Sequence, residues 1–484
     1  MTLMSRRAAD TIAAIEAGPK GPDTGAFFDF HGTLIDGYSA TAYFTDRFRR
    51  RQMGLREAAA IARVVWHGDM DESKFADVIG KAIAELAGHP EQEVTELWTR
   101  LFKQRIARRL FPEAWSLVKA HQKMGHTVAI ASSATRFQTA PIAEELGIAH
   151  LLCTRVTVRD GRLTGGVEGV PLWGVGKAAA VCDFAKAHGI ALSRSYGYAN
   201  GNEDIAFLKT VGHAAAVNPK PALTAVAQHE GWTVLRFPAR HMASAGTRAR
   251  SLGAYCALAA TSLGGLAYAA ATGKKRRAAE LVGAISSDVM LAITGIEVEA
   301  QGEHHLWAHR PALFLFNHQS IVDGYVLLTL LRRGFTGVAK KQVARMPLLG
   351  QILSALDFAF IDRSNTRGAK EAMQPAVDRL RQGMSVVIAP EGTRSLTPKL
   401  CQFKKGALHI AMQAGVPVVP VVIRNTYEVM PRGSLLFRPG TVQVCVLPVI
   451  DVTPWKIEDL DRHVADVQAL FQRTLDDWPA AGRG

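Results

Sequence analysis

A chain of 484 residues is too long for one ordinary hydrophobic core, so two or three domains are expected. With 48% hydrophobic and 21% charged residues it falls outside the disordered class, and a formal net charge of +14 directs attention to nucleic acid, anionic lipid surfaces or phosphorylated substrates. The lysines and arginines accompany neither a nucleic-acid motif nor an aromatic stacking platform, which removes nucleic acid from the expected partners.

Cys153, Cys182, Cys256, Cys401 and Cys445 are scattered, odd in number and never spaced as C-x-x-C. That usage points to a reduced, cytosol-facing protein without a structural zinc site. Asp10 and Glu16 interrupt any apolar stretch behind Arg6 and Arg7, so no secretory signal is expected.

In chain order, the apolar run in FFDFHGTLIDG (27–37) feeds Asp29 into a Gly-Thr turn, as an αβ sheet presents a carboxylate at a strand's end. His31 stands where a second carboxylate is expected. Residues 39–123, rich in Ala, Leu, Arg and Glu, read as a helical cap inserted beside the sheet. Strands are expected at HTVAIASS (126–133), SYGYAN (195–200), HAAAVN (213–218) and WTVLRF (232–237). Their alternation with helices predicts a parallel sheet covered on both faces in a first domain, 1–236, followed by a linker, 237–250.

Residues 251–273 carry no charge and are long enough to cross a bilayer. Against a simple span, Ala, Gly, Ser and Thr outnumber Leu, and Gly264–Gly265 is expected to break the middle. Arg248 and Arg250 before it and KKRR (274–277) after it leave no positive-inside asymmetry. A membrane-associating helical hairpin over 251–296 fits better, its basic turn attracted to anionic headgroups. Two ordinary buried helices are the alternative. A second alternating series fills 297–484: PALFLFNH, FTGVAK, DFAFIDR, SVVIAPEG, VPVVPVVI and TVQVCVLPVI. Pro417 and Pro420 cannot donate to a ladder, so their strand is expected at an edge or with a bulge.

FNHQSIVDGYVLL places His318 and Asp323 five positions apart, directly after a strand. One imidazole nitrogen can donate to the carboxylate while the other takes a proton from a substrate hydroxyl. The alternative is an aspartate that only caps a helix beside an unrelated histidine. Ser320 fits the start of the helix better than a nucleophile's place. Lys404 and Lys405 fit a solvated basic face at least as well as a site.

Across residues 27–219, FFDFHGTLI, VAIASS, VGKAAAV and YGYANGNEDIAFL resemble, in order, the haloacid dehalogenase superfamily, especially its phosphoserine-phosphatase-like branch with a helical cap. The resemblance implies a Rossmann-like fold, Asp29 as nucleophile, Ser132 and Lys177 holding a phosphoryl group, and Asp204 supporting a Mg2+ shell. His31 departs from the family's acid-base aspartate and Asn200 from its acidic metal ligand. A histidine of ordinary pKa, about 6.5, can still give a proton. A neutral amide brings no charge to a hard cation, so a retained fold with little or no hydrolysis is expected, any metal resting on Asp29 and Asp204 alone.

Over about 250–450, FNHQSIVDG, VAKKQVARMPLLG, FAFIDRSN, APEGTRS and AGVPVVPVVI resemble the glycerolipid acyltransferase family, specifically 1-acyl-glycerol-3-phosphate acyltransferases. The resemblance implies that His318 deprotonates the glycerol 2-hydroxyl, Asp323 holds its tautomer, and the oxygen attacks an acyl thioester without an acyl-enzyme. It further implies that Lys340, Arg363 and Arg394 grip the acceptor phosphate, that Glu391 and Thr393 shape the pocket, and that an N–H at the Gly392 turn faces the oxyanion. No cofactor is needed; acyl-CoA or an acyl carrier protein is the donor and lysophosphatidate the acceptor. The expected setting is an anionic membrane surface at the cytoplasmic face of the inner membrane, with a homo-oligomer left open. Two other arrangements stay open: a bifunctional enzyme whose first domain is a phosphatase, or a non-catalytic first domain that binds a phosphorylated ligand and regulates transfer.

Overall fold

Apolar runs broken by glycine and charge dictate the strands of both halves. In a computed structural model that describes residues 6–51, 80–81, 83–169, 171–240, 243–345, 349–361 and 369–479, they build two compact units, 4–242 and 243–484.

In the first unit the strands are β1 (Gly25–Phe28), β2 (Thr127–Thr135), β3 (His150–Arg159), β4 (Arg162–Glu168), β5 (Tyr196–Ala199), β6 (His213–Val217) and β7 (Thr233–Leu235). They lie in the order β4-β3-β2-β1-β5-β6-β7, all parallel except the β3–β4 hairpin. The order reverses direction at β1, which opens a crevice at the strands' carboxyl ends, where Asp29 follows β1. The hairpin is not among the expected strands. Its signal was present in Asp160-Gly161, both at positive φ, but its exposed polar face hid the alternation.

The insertion closes before residue 123, the end expected for the cap. Asp36 N–H donates to Arg109 O (2.9 Å) and Phe111 N–H to Leu34 O (3.0 Å), so the insertion's two legs meet there. The helix Pro112–Lys123 lies beyond them and packs on β2, as a cover of the sheet rather than part of the cap. The expected linker is fixed at both ends. Phe237 packs on Phe111 with ring centroids 5.3 Å apart, and Ser244 Oγ caps the next helix by accepting from Thr247 N–H (3.1 Å).

The second unit begins with a hairpin, α1 (Ala245–Thr272) and α2 (Lys275–Thr294), turned at Gly273 in the left-handed region. Gly264–Gly265 does not break α1. A Cβ on Gly265 would lie 2.1 Å from Val282 Cγ2, so this glycine lets the two helices approach closely. Among the described residues α1 is the one helix long and apolar enough to cross a membrane, and only 17% of its apolar window is buried. Leu252, Leu263 and Leu266 are exposed along it. By contrast α2 buries Ala279, Val282, Met290 and Leu291 in the core.

The second sheet comprises β8 (Ile296–Gln301), β9 (Leu313–Phe316), β10 (Phe335–Lys340), β11 (Ala359–Ile361), β12 (Ser385–Ile388), β13 (Val418–Arg424) and β14 (Gly440–Val446), in the order β11-β10-β12-β9-β13-β14-β8. All neighbours are parallel except β13–β14. Along β9, Phe314 and Phe316 enter the core beneath the hairpin and α3 (Val322–Leu331), while Leu313 and Leu315 enter the opposite core, the period-2 alternation of a sheet buried on both faces. β13 lies inside the sheet, which corrects the edge expectation. The ladder is irregular at Pro420: its carbonyl accepts from Leu447 N–H while Val418 pairs with Ile450, which leaves one residue extra on the partner. β8 was not expected, because its glutamates Glu297 and Glu299 dilute the apolar pattern.

Candidate active site

The end of β9 is clamped first. Asn317 donates to Ile423 O and accepts from Ile423 N–H, each at 2.7 Å, which fixes the chain on β13 just before His318. Asp323 stands in the first turn of α3, fully buried. Its Oδ2 accepts from His318 Nδ1 (2.7 Å), Gln319 N–H (2.8 Å) and Ser320 N–H (2.8 Å). The two readings of Asp323, cap or orienter, therefore describe one residue doing both. With Nδ1–H given to a carboxylate, Nε2 keeps its lone pair, and the ring is 27% exposed. Ser320 Oγ donates to Met430 O (2.7 Å) and accepts from Val322 N–H (3.2 Å), a structural part and not a nucleophile's.

The turn after β12 fastens onto this loop. Glu391 is buried; Oε1 accepts from His318 N–H (2.6 Å) and Oε2 from Cys401 N–H (2.9 Å). Burial pushes its carboxyl up to about 7, against the pull of these two N–H groups and with a further push from Asp323. Ser395 N–H donates to His318 O (2.8 Å). Gly392 has φ +72, and its own N–H donates to Ala389 O (3.1 Å), which closes the turn. Thr393 and Arg394 follow, both half-buried. Burial and then the charge of Arg432 hold the Arg394 guanidinium below the usual arginine range, while Asp323 draws it back up. Lys340 ends β10, half-buried at the same edge of the sheet; Arg363 lies outside the described residues.

In the first unit the expected residues also converge at one sheet edge. Lys177, from the helix Gly174–Ala187, places Nζ 2.9 Å from Asp29 Oδ1 and 2.5 Å from Asp204 Oδ1, all three buried. Burial opposes the lysine's charge, but Asp204 and Asp29 together raise it above the usual range. Burial, then Lys177, drives His31 down to about 3, and its Nε2 lies 2.8 Å from Ser39 Oγ. His31 is thus neutral near pH 7 and not the proton donor that an ordinary histidine would be. Ser132 is buried on β2, its Oγ accepting from Ala134 N–H (3.3 Å). Asn200 lies against the backbone of Gly32, where a Cβ would come 2.2 Å from its Nδ2.

These residues do not fit Mg2+. Both carboxylates are engaged by one ammonium, Asn200 offers a neutral amide, and no three His, Cys, Asp or Glu side chains gather into a metal-holding group among the described residues.

Residues 297–424 match the family model described as Acyltransferase, and residues 26–209 the one described as haloacid dehalogenase-like hydrolase. The 1-acyl-sn-glycerol-3-phosphate acyltransferase of Limnanthes alba is 34% identical over 200 residues, which cover 41% of this chain and 70% of that protein. The chain belongs to the acyltransferase family. A probable phosphatase of Mycobacterium tuberculosis is 30% identical over 222 residues, 44% of this chain and 75% of that protein, so a haloacid dehalogenase-like unit precedes the acyltransferase. The crystal structure of the 1-acyl-sn-glycerophosphate acyltransferase PlsC from Thermotoga maritima superposes with a TM-score of 0.41 at 23% identity, covering 48% of this chain and 97% of that one.

In the acyltransferase unit Lys404 is exposed, as expected of a solvated basic face, yet it also lies beside the EGTR turn. Its side chain runs over Gly392, whose Cβ would lie 3.3 Å from Lys404 Nζ, a contact that no local periodicity announces. Lys405 belongs to the solvated face, paired with Asp461 at 2.6 Å and well exposed.

Proposed function

We propose that the acyltransferase unit moves a fatty acyl chain from an acyl-CoA or acyl carrier protein thioester to the 2-hydroxyl of 1-acyl-glycerol-3-phosphate, giving phosphatidate and a free thiol. His318 Nε2 takes the hydroxyl proton as the oxygen attacks the thioester carbonyl. Asp323 holds the resulting imidazolium, which returns the proton to the departing sulfur. Arg394 and Lys340, and Arg363 by its place in the motif, bind the acceptor phosphate. The observation that carries this reading is the buried Asp323 bonded to a partly exposed His318, on a loop to which the arginine-bearing turn is itself fastened. No cofactor takes part.

Membrane association follows from α1, whose apolar surface is mostly unburied, and from its neighbour's basic start, Lys275 to Arg277. The cytoplasmic face of the inner membrane is the placement that scattered cysteines and thioester donors favour. Mass spectrometry of products from the purified chain, given a panel of lysophospholipid acceptors and acyl-CoA donors, tests the assignment. Phosphatidate should dominate; an absence of acylated product from lysophosphatidate sinks it.

A further inference from the structure

A second arginine of the acyltransferase unit, Arg432, reaches the backbone of the turn that carries Arg394. Arg432 Nη1 donates to Arg394 O (2.9 Å); burial first, and then the Arg432 charge, lower the pKa of the Arg394 guanidinium, with Asp323 opposing them. Among the described residues neither arginine makes an ion pair with a carboxylate. The half-buried Arg432 guanidinium is thus seated on the backbone of the EGTR turn, where its charge and that of Arg394 can converge on one anion.

The loop that brings Arg432 is fixed at both ends. Met430 O accepts from Ser320 Oγ (2.7 Å), which ties the loop to the turn that carries His318. At the other end Phe437 N–H donates to Ser251 Oγ (2.9 Å) and Tyr255 OH to Leu435 O (2.8 Å), both partners lying on α1. Between them Leu435 is 74% exposed, next in sequence to a half-buried Leu436. One short loop therefore joins an arginine facing the phosphate-binding turn to a bare leucine beside the helix with the unburied apolar face.

We propose that Arg432 is a second guanidinium ligand of the acceptor phosphate, acting with Arg394, and that its loop is the element that takes the phosphate-bearing lipid from the membrane surface. The inference rests on the acyl-transfer reading above. Its own content is that phosphate recognition comes partly from the segment after β13, outside the H-x4-D and EGTR turns.

The test uses the full chain in detergent and on phosphatidylcholine vesicles doped with lysophosphatidate or with monoacylglycerol. Arg432→Gln should raise KM for lysophosphatidate by about ten- to a hundredfold, the loss of one hydrogen-bonded charge contact, with KM for acyl-CoA unchanged. It should also abolish the preference for lysophosphatidate vesicles over monoacylglycerol vesicles. Arg432→Lys should recover part of both effects and controls for folding. A wild-type acceptor KM and vesicle preference in Arg432→Gln overturns the inference, as does an equal rise in both KM values or a fall in kcat alone. If wild type prefers lysophosphatidate vesicles through Arg432 yet makes no phosphatidate, the acyl-transfer reading fails and the phosphate site stands. If wild type shows no preference and Arg432→Gln matches it, the phosphate site falls whatever the turnover.

Discussion

The carboxyl ends of the two sheets carry similar ingredients and leave them in opposite states. In the first, Asp29 and Asp204 close on Lys177, and His31 is neutral against Ser39. In the second, Asp323 holds His318, whose ring stays 27% exposed, while among the described residues neither Arg394 nor Arg432 forms an ion pair with a carboxylate. Converging polar groups do not by themselves make a working centre. What matters is whether their valences are satisfied internally or kept for a substrate.

The strongest challenge to this contrast is His318→Ala, expected to slow phosphatidate formation by about 10²- to 10⁴-fold with an unaltered thermal melt. Turnover at the wild-type rate would remove the second centre from the comparison. Next comes Lys177→Met, which leaves two buried carboxylates without their cation and should destabilise the first unit by about 3–5 kcal/mol. Hydrogen exchange at the amides of β1 and β5 reads that loss, and unchanged protection there would show that the three charges do not depend on each other.

Glu391→Gln sharpens the second side. The native carboxyl, ordinarily near 4.5 and raised to about 7, binds a proton more readily folded than unfolded. Its contribution is therefore fully present below 4.5 and lost as pH rises through 7. Glutamine does not titrate, so denaturation should show the variant gaining on wild type by up to about 3 kcal/mol across that window. A pH-independent difference would count against the buried carboxylate. The smallest expected effect is none at all: phosphate release from small phosphomonoesters, with or without Mg2+, should stay at buffer background and be indifferent to Asp29→Asn.

Much of this was legible in the residues. The apolar runs that became β1, β2, β5, β6 and β7, and β9 to β14, are nearly continuous because both faces of each sheet are covered, whereas β3, β4 and β8 carry exposed charged positions and escaped notice. His318 and Asp323 declare themselves because a loop and the next helical turn set their distance locally. Glu391 reaches the His318 backbone from 73 positions away, and Arg432 reaches the EGTR turn from 38, spacings that no periodic pattern encodes. Gly265 looked like a helix breaker because a sequence does not show the neighbouring helix that needs its missing side chain.

The carboxylate that steers the imidazole also starts α3, and α3 leans through Leu328 on Gly283 of the hairpin, where a Cβ would come within 2.9 Å. Packed side chains thus tie the turn that carries His318 to α2. A side chain larger than a hydrogen at position 283 would push Leu328 and α3 away, and with them the carboxylate that orients the imidazole.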